Sequence, residues 1–390
     1  MIFIYAIIIV AFLDTFLQLP IISTYAHSVG AGNLLTGMII AVYSLANMGG
    51  NIIAGHWIDQ FGRRRVLFFG MAFAAVILLF YPLAETGWQL FFIRFFHGLA
   101  GGALIPAAFA YLGDLAPENR RGKMMAFSGA CIGTAAIIGP AAGGIISARI
   151  SPDAVFYIAS IIFVITCLAV LFLLKESAPA SARRNVSLSH FRRLAFNPFM
   201  VQASLSALTL TLSMGVLTFA LPLRTEELGL SPSVTGLLLS SFGIIALFIF
   251  LTPANRLYDK FRPQSIIIAG LILIGLSLFS LSVVENIYLI TAVMLVYGTG
   301  FSFVFPSMNR IIVEISGTSD RGKAFGVFYA SYSLGIVAGS FFAGAAADFF
   351  GYPFRVSGGL VLAMSLTLFW LVKKQSGSAK TRESAGVRDS

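Results

Sequence analysis

The sequence predicts an all-α membrane protein of twelve transmembrane helices, arranged as two pseudo-symmetric six-helix halves. Three observations carry this expectation. Of 390 residues, 58% are hydrophobic and only 11% charged, and the mean hydropathy is +0.89. A soluble domain carries about 25% charged residues to cover its surface. Apolar runs of the length a helix needs to cross a bilayer recur along the chain, and in lipid only a helix satisfies its own backbone. Finally, the second half of the chain repeats the first at a shift of 200 residues.

The runs lie near 2–25, 33–57, 66–84, 87–112, 124–147, 153–174, 200–223, 233–257, 264–283, 287–311, 324–347 and 353–372. Breaker residues mark the joints, as in "HSVGAGN", "AETG", "APENRRG", "LGLSPS" and "FGYP". The opening "MIFIYAIIIVAFLDTFLQLPII" has no basic start and is longer than the core of a cleavable signal, so it reads as the first span. At the shift of 200, Asp59 matches Asp259, Gly98 matches Gly298, Pro106 matches Pro306 and Asp114 matches Glu314. Arg121-Gly122-Lys123 matches Arg321-Gly322-Lys323, and Gly139 and Gly144 match Gly339 and Gly344. The expected organisation is therefore an N-terminal half over 1–175, a linker over 176–199, a C-terminal half over 200–372 and a tail over 373–390. Repeats of this kind build alternating-access transporters, with the substrate site at mid-membrane between the halves.

The net charge of +10 could suggest a nucleic-acid partner, but its placement argues against one. Basic residues are confined to short loops and the tail, and 22 of the 26 Lys and Arg fall on one side of the predicted topology. That side is cytoplasmic by the positive-inside rule, which puts both termini inside a multi-pass protein of the inner (plasma) membrane. Cys131 and Cys167 lie within apolar runs and read as packing residues, not as a disulfide or zinc site. No metal or cofactor is expected. The chain contains no HExxH, no P-loop and no Ser/His/Asp cluster at a span end, so an enzyme is not expected either.

Three motifs concentrate the polar residues. "GHWIDQFGRRRV", residues 55 to 66, places Gly55, Asp59, Gly62, Arg63 and Arg64 in one short turn. "RFFHGLAGG" begins at Arg94 and "GPAAGG" spans Gly139 to Gly144. Over nearly its whole length the chain resembles the major facilitator superfamily. The first motif resembles its loop 2–3 signature, the second its fourth-helix motif with a membrane arginine, and the third its fifth-helix motif associated with twelve-span drug:proton antiporters. In the fifth helix Ala126 and Ala135 stand where that motif often has glycine.

The resemblance implies a cytoplasmic gate. Gly55 and Gly62 allow close approach of helix ends, and the Asp59 carboxylate can accept from N–H groups at a helix N-terminus. Arg63 can pair with Asp114 in a charge-assisted contact worth about 1.5–3 kcal/mol when shielded. Asp259 holds the equivalent place in the second half, and Arg64 either shares in the gate or only fixes topology. In the fifth helix, Gly129 with Gly133 and Gly139 with Gly143 share faces where another helix can approach. Pro140 is expected to kink that helix, and Gly143 and Gly144 either seal the interface between halves or simply pack.

Asp14 alone among the sixteen acidic residues lies deep in a span, about twelve residues into the first helix. Gln18 is one turn further on the same face, and Arg94 is its natural charge partner. An ionisable group at that depth is a functional hypothesis by default: a proton-coupling and substrate-cavity cluster, or a static buried pair. His97, one turn from Arg94, either packs or joins the cluster. With one acid, one base and 37 phenylalanines, the cavity suits lipophilic or amphipathic solutes better than sugars, which need many polar partners. The expected function is a proton-coupled exporter of such small molecules, acting as a monomer with solute, protons and bilayer as its partners. An exporter or flippase of a lipid, siderophore or metabolite, or a proton-coupled uptake symporter, stands as the alternative. A channel would need neither the Asp/Gly/Arg loop nor two halves.

Overall fold

The computed structural model describes residues 2–115, 121–177, 196–316 and 321–386, without the side chains of 59, 121–123, 125–126, 321–323 and 375–386. Most of the expected linker, Arg120, and the side chains of Asp59, Arg121, Lys123, Arg321, Lys323 and most of the tail lie outside what it describes. Eleven helices are long and apolar enough to cross a membrane, and a bent pair makes a twelfth.

That pair is α1 (Ile2–Gln18) and α2 (Ile22–Ser28), bent by 49°. The sequence suggested one continuous span. The break falls at Pro20, whose ring disfavours helical backbone before it and removes an N–H donor. Next come α3 (Asn33–Phe61) and α4 (Arg63–Leu78), joined through Gly62 at φ +90°. The third expected run also stops early, at Leu78, and a 3₁₀ turn over Tyr81–Leu83 follows with Pro82 at its start. This turn carries Tyr81 into the protein, fully buried. Helices α5 (Gly87–Leu115), α6 (Arg121–Arg149) and α7 (Pro152–Leu173) complete the first set.

The second set comprises α8 (Pro198–Glu227), α9 (Pro232–Leu251), α10 (Pro263–Leu281), α11 (Ile287–Ile315), α12 (Arg321–Phe350) and α13 (Pro353–Gly386). Helix α9 ends at Leu251, six residues before the expected boundary, and short helical turns over Pro253–Arg256 and Leu257–Lys260 follow. Helices α4, α5 and α6 start at 63, 87 and 121, and α10, α11 and α12 start at 263, 287 and 321. The repeat in the sequence is thus a repeat of helix bounds.

Contacts group the chain into two compact units. One comprises Met1–Asn185, Gly215–Ile244 and Ile336–Pro353, the other Val186–Met214, Ile245–Gly335 and Phe354–Ser390. In the first, α3 and α4 pack on α5, α1 on α6 and α4 on α7. Gly70 lets α4 lie against Ala100 and Ala103 of α5. In the second, α10 packs on α11 through the equivalent pair Gly270 and Gly300, each of which would push a Cβ into the other's carbonyl.

Candidate functional site

Within the first unit, α1 contributes Asp14 and Gln18, α3 contributes Tyr43, α5 contributes Arg94 and His97, and the turn after α4 contributes Tyr81. Asp14 is 4% exposed, Gln18 1%, Arg94 4% and His97 0%, so the cluster is sealed from solvent. Gln18 Nε2 donates to Asp14 Oδ1 at 2.9 Å, and Arg94 Nη1 donates to Gln18 Oε1 at 2.8 Å and to Tyr81 Oη at 3.3 Å. Tyr81 Oη and His97 Nδ1 are 2.8 Å apart. His97 Nε2 lies 3.1 Å from Asp14 Oδ2, close enough for an ion pair but off the line of a hydrogen bond. The Arg94 guanidinium also sits 4.5 Å from the centre of the Tyr43 ring, a cation–π contact.

The expected pairing of Arg94 with Asp14 is therefore corrected. Arg94 reaches the acid only through Gln18, and His97 is the group on the carboxylate. Tyr81 Oη accepts from Arg94 and contacts His97 Nδ1, so the ring is held through one nitrogen while the other, Nε2, faces Asp14. A crevice beside Asp14, lined by Val10, Leu13, Leu17, Ala159, Ile162 and Phe163, has no room for a water molecule.

The repeat does not duplicate this chemistry. At the shift of 200, Asp14, Gln18, Arg94 and His97 correspond to Met214, Thr218, Met294 and Tyr297. Tyr297 is fully buried, with its Oη 2.9 Å from Ser213 Oγ. The second copy is neutral where the first is charged.

At the α3–α4 turn, Arg63 Nε lies 2.9 Å from Asp114 Oδ2 at the end of α5, as the motif suggested. Glu176, which sequence reading missed, accepts from the backbone N–H of Arg63 at 2.8 Å and of Arg64 at 3.3 Å. A carboxylate at a helix N-terminus meets unsatisfied donors and the positive end of the macrodipole. Gly62 is required twice over: its φ is +90°, and a Cβ there would strike the Glu176 carboxylate. The Arg64 guanidinium donates to the Leu171 carbonyl. Gly55 departs from expectation, since a Cβ there would meet nothing within 4 Å among the described residues. Asp259 is exposed, and Glu314, the counterpart of Asp114, pairs with Arg310 on its own helix at 2.7 Å.

The α6 glycines divide. A Cβ at Gly139 or Gly143 would strike α1 at Phe16 or Leu17, and one at Gly144 would strike the Pro232 carbonyl of α9. Gly129 and Gly133, expected to admit a neighbouring helix, have nothing within 4 Å among the described residues. The helix continues through Pro140, whose carbonyl faces Gly236. The repeat supplies the reciprocal crossing in the same unit. Gly344 meets the Asn33 carbonyl and Gly37, just as Gly144 meets Pro232 and Gly236. Nearby, Asp348 accepts from Asn33 Nδ2 at 2.9 Å and from the Leu34 N–H at 3.0 Å.

The family model described as Major Facilitator Superfamily matches residues 4–214 and 203–389. The chain belongs to the major facilitator superfamily. It is 24% identical to Multidrug resistance protein 2 of Bacillus subtilis over 383 residues, 95% of each chain. It is also 24% identical to Multidrug resistance protein MdtG of Salmonella arizonae over 359 residues, 89% of this chain and 88% of that one. A solved D-xylose–proton symporter superposes with a TM-score of 0.75 at 19% identity, over 94% of this chain and 97% of that one. A bacterial homologue of the human lysosomal transporter Spinster, inward-facing and occupied, gives 0.77 at 14%, over 95% and 93%. These likenesses establish the major facilitator fold, and the protein is a membrane transporter, not an enzyme. Among the described residues no three of His, Cys, Asp and Glu gather to hold a metal ion.

Proposed function

We propose that the protein exports lipophilic or amphipathic small molecules in exchange for protons, by alternating access, with Asp14 as the group that carries the proton. The observation that supports this most is the sealed contact between Asp14 and His97 in an otherwise apolar membrane interior. Buried ionisable groups in spans are costly and persist where a charge must move. Gln18 and Arg94 hold the carboxylate from its other oxygen, and His97 offers it a second titratable site within reach. Proton binding neutralises Asp14 and removes the charge that a cationic or polar solute would neutralise, so the two ligands exclude each other. The names of the relatives, multidrug resistance proteins, agree with this cargo class.

In this reading the halves over 1–175 and 200–372 alternate about the site in the inner membrane, both termini face the cytoplasm, and one chain suffices. Asp59, Gly62, Arg63, Arg64 and Asp114 form the cytoplasmic gate, with Glu176 added and Asp259 as its repeat counterpart. The test uses proteoliposomes with an imposed pH gradient and a lipophilic cationic dye. The wild-type protein should move dye uphill and release protons on dye binding in detergent, and Asp14→Asn should do neither. Undiminished uphill transport by Asp14→Asn would remove Asp14 from the coupling step.

A further inference from the structure

In the first unit, α3, α4 and α5 line a groove of about 810 Å³. Its lining includes Gly50, Leu99, Ala103, Trp57, Phe61 and Arg65. The volume falls within the range of about 300–1,000 Å³ typical of small-molecule sites. Its rim residues Ile53, Trp57, Phe61, Phe69 and Phe73 are exposed large apolar side chains on membrane-spanning helices, which places the groove against lipid.

The three consecutive arginines at this end are used differently. Arg63 pairs with Asp114, and Arg64 donates to the Leu171 carbonyl. Arg65 is exposed and makes no hydrogen bond or ion pair among the described residues. An exposed guanidinium beside an apolar groove, without an ionic partner among the described residues, can take one from outside the chain, and guanidinium binds phosphate in bidentate fashion. Trp57 beside it is the side chain that favours the headgroup level of a bilayer. An inorganic anion would leave the apolar walls uncovered, and a cationic solute would be repelled by Arg65. We infer that this groove binds one anionic membrane phospholipid, its acyl chain between α3, α4 and α5 and its phosphate on Arg65. The site is separate from the Asp14 cluster and does not depend on the transport reading. It lies on the helix that starts at Gly62, so an occupant would brace α4 beside the Arg63–Asp114 pair.

Trp57 reports on its own groove. Trp88 and Trp370, both on the exposed surface, are replaced by Phe to leave Trp57 as the sole tryptophan. This protein is reconstituted in bilayers containing dibrominated phosphatidylglycerol or dibrominated phosphatidylcholine, whose bromines quench indole fluorescence on contact. Trp57 should favour the anionic lipid about fivefold, with the preference falling as salt rises. Arg65→Ala should reduce the preference to unity and Arg65→Lys should keep most of it. Equal quenching by the two lipids in the protein with Arg65 intact, or an unchanged preference in Arg65→Ala, would overturn the assignment. If Arg65→Ala fails to insert, the salt series alone decides: a salt-independent preference rules out the ionic contact.

Discussion

His97 Nε2 stands 3.1 Å from Asp14 Oδ2, and the two atoms come from helices α5 and α1, which the chain separates by three intervening helices. Both residues are buried. The imidazole is held from behind by Tyr81 and the carboxylate by Gln18, so the pair is fixed in position.

That arrangement makes His97 separable from Asp14 by experiment. His97→Gln keeps a polar side chain of similar reach and removes the titratable ring. Substrate binding in detergent should stay within about twofold, while coupled transport falls about tenfold or more, the scale of one charge-assisted contact. Binding and transport lost in parallel would assign His97 a purely structural part.

Arg94 serves three partners at once: Gln18 Oε1, Tyr81 Oη and the face of Tyr43. Lysine cannot span them, since its ammonium is a point donor without a planar fork. Arg94→Lys should therefore lose transport nearly as completely as Arg94→Gln. Recovery of more than about half of wild-type transport by Lys would reduce the role of Arg94 to its charge.

The glycines of α6 offer a matched pair. Gly143→Ala forces a Cβ into the Leu17 backbone and should lower the melting temperature in detergent by several degrees, consistent with overpacking costs of about 1–3 kcal/mol. Gly133→Ala has open space and gains helix propensity of about 1 kcal/mol, so it should be neutral or stabilising. Thermal unfolding of both variants in one detergent checks the contrast.

At the α3–α4 turn, a double-mutant cycle on Arg63 and Asp114 should give a coupling of about 1 kcal/mol in stability, since the pair is only partly shielded. Glu176→Gln should cost a similar amount through the α4 N-terminus, and less at high salt. Asp59→Asn should cut transport severely while membrane insertion, read by immunoblot of the membrane fraction, is unchanged. Normal transport by Asp59→Asn would take Asp59 out of the gate.

Much of this was legible from residue types alone. A carboxylate in an apolar run pointed to Asp14, and the family resemblance suggested that Arg63 could pair with Asp114. What was not legible depends on helix rotation and on breaks in helices. His97 was hidden because one-turn spacing ties it to Arg94 equally well as packing or as a partner, and only the rotation of α5 against α1 decides. Tyr81 was counted inside an apolar run, and the turn at Pro82 is what carries its hydroxyl to His97 and Arg94. Glu176 sat at the edge of a Ser/Ala/Pro linker, where nothing marks a capping carboxylate. Gly129 and Gly133 share the four-residue spacing of Gly139 and Gly143 but not their neighbour, because spacing defines a face without saying what approaches it.

The loss of the acid from the second repeat sets a ceiling on work. In the proposed proton exchange, two copies of the Asp14 cluster would allow two protons per cycle, whereas Met214 and Met294 would leave one. If a single proton exchanges for a neutral solute, one charge crosses the membrane per turn, and 100 mV supplies about 2.3 kcal/mol, enough for a concentration ratio of about fiftyfold. For a monovalent cation the exchange is electroneutral, the membrane voltage drops out, and each unit of pH difference sustains only about tenfold. Under the proposed exchange, a chain with this asymmetry would clear a membrane of dilute amphiphiles, but would hold a gradient of a cationic one no steeper than the pH difference allows.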